Sequence, residues 1–119
     1  MPRAADPSQE QPVTRTVLLD AQLARPKHTG HVEIREIRIA PGHPAGRHLH
    51  NGPVVGSILD GSVVFQVAGQ PASVLRAGDV FFEPEGEHID RFDAGDDGVT
   101  FLGYFLLADG EAAQLEMLE

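Results

Sequence analysis

Short apolar runs alternate with turn residues along almost the whole chain, and a period of two dominates over a period of 3.6. Residues 13–20 (VTRTVLLD) are rich in β-branched side chains and read as a first strand. Residues 31–40 (HVEIREIRIA) set Val32, Ile34, Ile37 and Ile39 against charged neighbours, with one slip of phase between Ile34 and Ile37 that a bulge or twist would absorb. Strands are expected at 47–50, 54–59, 62–68, 72–75, 80–83 and 88–93, separated by Gly, Pro, Asn and Asp. Asp60-Gly61 has the sequence of a two-residue hairpin turn. Residues 94–98 (AGDDG) read as a loop, and 99–107 (VTFLGYFLL) as a long strand that is apolar on both faces. The tail 110–119 (GEAAQLEMLE) has the composition of a short C-terminal helix. Residues 1–12 are polar, contain three prolines and show no period, so they read as a disordered arm before a single domain over 13–119. Eight or nine short strands with no internal helix argue for an all-β sandwich or barrel.

Length and composition narrow the chemistry. At 119 residues the chain has the size of one domain and buries roughly two thirds of its extended surface. There is no cysteine, which excludes disulfides, thiolate metal sites and cysteine nucleophiles. Eighteen acidic residues against nine basic ones give a net charge of -9, and no basic cluster interrupts it, so neither nucleic acid nor an anionic membrane surface is an expected partner. No apolar run has the length of a membrane span, and the first residues lack the apolar core of a secretory signal. A cytoplasmic protein is the expectation. Because both faces of 99–107 are apolar, the outer one should lie under the terminal helix or against a second copy, and a homodimer is expected.

Six histidines are present, and the informative pair is His48-Leu49-His50. Two residues apart on a strand, they point to one face with α-carbons roughly 6.6 Å apart, close enough for both imidazoles to reach one ion. Around them the spacing is Gly42, five residues, His48, one, His50, three, Val54, six, Gly61. Further on come Gly78, five residues, Pro84, one, Gly86, one, His88. The first string resembles the first motif of the cupin superfamily, G-x5-H-x-H-x3-E-x6-G, with Val54 in place of the glutamate. The second resembles the second motif, G-x5-P-x-G-x2-H-x3-N, with His88 one residue early and Phe92 in the asparagine position.

The resemblance implies a small double-stranded β-helix, a jelly-roll barrel, with a divalent metal ion inside one end held by His48, His50 and His88. Fe, Zn, Ni, Mn and Cu all suit three imidazoles. Without the glutamate such an ion would keep its full double charge and act as a strong Lewis acid. It implies a small organic substrate in the barrel pocket and dioxygenase-like chemistry, or Lewis-acid cyclase, isomerase or lyase chemistry; the alternative is a non-catalytic module that binds a small ligand or metal. Asp90, two residues past His88, would share its face as a ligand, a partner of a ligand or a general base. Tyr104 sits in an apolar strand, where its hydroxyl needs a partner that is either a ligand or a backbone carbonyl. Glu83 and Glu87 flank the Pro84 turn and read as rim residues, with Glu83 the one of the two that could line the mouth; His43 reads as a solvated loop histidine, the alternative being a base or ligand swung over the site. An arginine of the 31–40 strand facing the cavity would suit an anionic substrate, and the phase slip leaves Arg35 and Arg38 undecided.

Overall fold

The computed structural model describes residues 11–118. Seven strands run in the order β1 (His31–Ile39), β2 (His48–His50), β3 (Val54–Val67), β4 (Ser73–Arg76), β5 (Val80–Glu83), β6 (Ile89–Leu107) and β7 (Leu115–Met117). All paired strands are antiparallel, and no helix occurs among the described residues. No helix is therefore long and apolar enough to cross a membrane. The disordered arm expected over 1–12 lies almost wholly outside the described residues.

The long strands β3 and β6 organise the molecule. They pair along their whole length, from Val54↔Phe105 to Val67↔Ile89, with register shifts between Ile58 and Asp60, Gly61 and Val63, and Gln66 and Val67. All seven strands belong to one hydrogen-bonded sheet, which folds over near the first two shifts into two facing layers, each called a sheet below, and both long strands serve the two. One sheet is β1, the 99–107 half of β6, the 54–58 half of β3, and β5. The other is β4, the rest of β3, the 89–94 part of β6, then β2 and β7. The Asp60-Gly61 turn is thus not a hairpin, and 94–98 is not a loop: the chain continues through both as bent strand. The bend needs two glycines. Gly61 and Gly98 have φ of 78° and 75°, and a Cβ on Gly61 would run into the Gly98 carbonyl.

Phenylalanines fill the space between the sheets. Phe92 stacks against Phe81 at 5.4 Å and Phe101 at 4.9 Å, and Ile58, Val63 and Ile89 are fully enclosed around them. β1 pairs with β6 without a bulge. Its phase slip is instead a change of apolar face: Ile37 and Ile39 point into the sandwich, while Val32 and Ile34 are mostly exposed on the outer side.

Two further expectations are corrected. Residues 13–20 form no strand, because no sheet edge pairs with them; Val17 and Leu18 are 80% and 68% exposed. The tail forms no helix. Its residues 115–117 pair with β2, His48↔Met117 through His50↔Leu115, and the open edge of a three-residue strand overrides a weak helical propensity.

Candidate metal centre

His48 and His50 point inward from β2, as their spacing requires, and Leu49 points the other way. They are 3% and 8% exposed, with ring centroids 5.1 Å apart and planes nearly perpendicular. The carboxylate facing them comes from the opposite sheet. Glu83, at the end of β5, is 4% exposed, and its Oε2 lies 2.6 Å from His50 Nε2 and 3.6 Å from His48 Nε2. One donor atom from each of the three residues falls within 4.8 Å of the others. Two donors at right angles, each about 2.1 Å from one ion, stand about 3.0 Å apart, so the observed separations bracket what a bound dication needs. Two imidazoles and a carboxylate form a donor set that fits such an ion.

Neighbouring groups set these side chains. Gly46, at φ 86°, turns its carbonyl to accept a 2.8 Å hydrogen bond from His48 Nδ1, which directs Nε2 toward Glu83. A Cβ at Gly46 would meet only the flexible Met117 methyl, so the positive φ is what favours glycine there. His50 meets the edge of Phe105 at 6.1 Å. Burial opposes charge on His48, but hydrogen bonds to Glu83 and to the Gly46 carbonyl, with the Glu83 charge, hold its pKa above the ordinary imidazole value. Burial likewise penalises the Glu83 carboxylate, yet hydrogen bonds from His48 and His50 and their charges hold its pKa below the usual carboxylate value.

The structure separates the other candidates from this cluster. His88 is exposed, and Ile89 is buried as the cross-strand partner of both His48 and Val67. Paired residues share a face, so Ile89 occupies the inward place and His88 points outward. The three-histidine arrangement does not form. Asp90 is two residues from His88 and shares its outward face; its carboxylate accepts a 3.2 Å hydrogen bond from Arg47 Nε. Tyr104 also faces outward, where it lines a surface groove with residues 16–19 and Val55. His43 is exposed in its loop.

Glu83 is the residue that sequence reasoning set at the rim. One signal in the sequence could have found it: in VFFE, Glu83 shares parity with Phe81, a core residue. The structure adds that Val54, where the motif carries its glutamate, is the direct cross-strand partner of Glu83. The carboxylate has moved one strand sideways. Beside the cluster lies a cavity of about 140 Å³, walled by Ile37, Val54, Phe92, Phe101 and Phe105 among others.

The family profile of the cupin domain matches residues 35–100, more than half of the chain. No curated protein matches the sequence. Among solved structures, a DMSP lyase from Ruegeria pomeroyi aligns with a TM-score of 0.62 and 22% identity over 70% of this chain and 42% of that one. An oxalate oxidase bound to the substrate analogue glycolate aligns at 0.59 and 21%, over 70% and 45%. An RmlC-like cupin from Shewanella frigidimarina aligns at 0.56 and 26%, over 70% of each chain. The chain spans less than half the length of the lyase and oxidase chains. These likenesses concern the fold.

Proposed function

The chain belongs to the cupin domain family, and on that premise we propose that it is a metal-dependent small-molecule enzyme whose divalent ion is held by His48, His50 and Glu83. The observation that carries this reading is the convergence of three buried donor groups from two different sheets on one side of a small apolar cavity. Two histidines and one carboxylate with open positions is the arrangement of non-haem iron(II) oxygenases, and a bound iron(II) would supply redox chemistry toward dioxygen and an organic substrate. The chain's own residues do the rest. Gly46 fixes the orientation of His48, Phe105 braces His50, and Glu83 cancels part of the ion's charge. The phenylalanine wall excludes water and favours an apolar substrate body.

A second reading is Lewis-acid lyase or isomerase chemistry, since two histidines and a glutamate also suit zinc. The carboxylate weakens that reading relative to three neutral imidazoles, because it lowers the residual charge on the ion. A metal-binding module without turnover is the third. Oxygen uptake by protein loaded anaerobically with iron(II), or with zinc, against a panel of small organic acids tests all three. Uptake with iron alone supports the oxygenase, substrate loss with zinc and no uptake supports the Lewis acid, and neither supports the binding module.

We infer further that the chain acts as a homodimer through the outer face of β1, β6, β3 and β5. Ile34, Tyr104, Val55 and Phe82 are successive cross-strand partners and form one uncharged row across that face. In a chain of net charge -9, this uncharged row, with only the opposite charges Glu36 and Arg38 beside it on β1, lets two copies meet with little like-charge opposition.

A further inference from the structure

β1 brings charge to the edge of the apolar interior. Arg35 is the cross-strand partner of Gly103, which lines the cavity, and Ile37 and Ile39 of the same inward parity line it too. The Arg35 guanidinium lies 5.1 Å from the centroid of Phe105, and Phe105 in turn meets His50. A single aromatic ring therefore stands between this cation and the His48–His50–Glu83 centre. The guanidinium is half-exposed and is paired with Glu33, its neighbour two residues back on β1. Such a half-exposed pair is weak and yields to a better acceptor.

We propose that Arg35 is an anion subsite: it takes the carboxylate of a short-chain carboxylic acid whose body lies along Phe105. Resting on the metal reading above, the acid's other end reaches the ion. Three features point to this class. The guanidinium carbon lies over the Phe105 ring, and exchange of Glu33 for a ligand carboxylate would turn its N–H groups to fork that ligand. One arginine matches the single charge of a carboxylate; a phosphate would call for more cations or a helix N-terminus, and no helix occurs among the described residues. The cavity of about 140 Å³ is comparable to an engineered cavity of about 150 Å³ that takes benzene, which limits the body to a few carbons.

The test is a titration of zinc-loaded protein with pentanoate and with pentanamide, followed by backbone amide NMR shifts. Pentanoate should shift the signals of Arg35, Gly103 and Phe105, and pentanamide should not. Arg35→Gln should weaken pentanoate at least about tenfold, Arg35→Lys should restore only part, and Glu33→Gln should tighten it, all with unchanged zinc content. Equal binding of acid and amide, undiminished pentanoate binding in Arg35→Gln, or no binding of any straight-chain acid of two to six carbons to the wild type would overturn the proposal. The same titration on metal-free protein separates the two readings. Arg35-dependent binding in a chain that takes up no zinc keeps the subsite and discards the metal centre; zinc uptake with Arg35-independent pentanoate binding does the reverse.

Discussion

Along the second half of β6, Phe101, Gly103, Phe105 and Leu107 face into the sandwich, and Leu102, Tyr104 and Leu106 face out. Both sets are apolar, and their surroundings differ completely. The inner set is closed over by Phe81, Phe92 and Val54 and meets the one buried polar cluster found among the described residues. The outer set joins Ile34, Val55 and Phe82 in a half-covered face, over which residues 16–23 lie across an open groove of about 800 Å³. Alternation alone cannot tell these faces apart, because it is absent. What separates them is the opposing sheet: the inner face has one, and the outer face has only an unpaired stretch of chain.

The largest effect should come from removing an inner ring. Phe101→Ala empties a site ringed by Phe81 and Phe92 and should cost about 3–5 kcal/mol in urea unfolding. Leu102→Ala, next in the chain but on the outer face, should cost well under half of that. Glu83→Ala comes next. Loss of a group that merely orients a ligand weakens metal binding about 10–100-fold, so loss of the ligand itself should exceed about 100-fold, measured by competition with a chromophoric chelator. His88→Ala should leave that affinity unchanged.

On the outer face, Val55→Glu places charge between Tyr104 and Phe82 and should raise the dissociation constant of the proposed dimer by at least about tenfold in sedimentation equilibrium. The smallest effect concerns the cover of that face. Lys27, in the stretch before β1, donates a 2.7 Å hydrogen bond to Glu111, and that bond, with a second from the Ala108 amide, holds the Glu111 pKa below the ordinary value. A carboxylate depressed in the folded state stabilises above its unfolded pKa and loses that contribution as pH falls through its folded value. Amide protection factors near Lys27, corrected for the intrinsic exchange rate, should therefore fall as pH drops below the ordinary carboxylate range in the wild type and stay level in Glu111→Gln.

Much of the fold was legible because its turns need glycine. Gly42, Gly61, Gly78 and Gly86 all have positive φ, and their spacing carried the resemblance to cupins. His48 and His50 were legible because a period of two survives in a three-residue strand. The third candidate ligand was not. Counted from Gly86, the motif's histidine position falls on Ile89 and not on His88, and the structure follows that count: Ile89 is inward and His88 outward. Glu83 stood in plain sight beside Pro84, but its role depends on Val54 being its partner across β3 and β5, a pairing no local pattern reveals. The same holds for residues 13–20 and the C-terminal tail, whose fates follow from which sheet edges are open.

In the proposed centre two imidazoles and one carboxylate, drawn from opposite sheets, hold the ion. X-ray absorption at the metal edge of the zinc-loaded protein counts imidazoles from their outer-shell scattering. Two imidazoles with oxygen ligands are expected, unchanged in His88→Ala and altered in Glu83→Ala. Three imidazoles in the wild type, falling to two in His88→Ala, would contradict that centre.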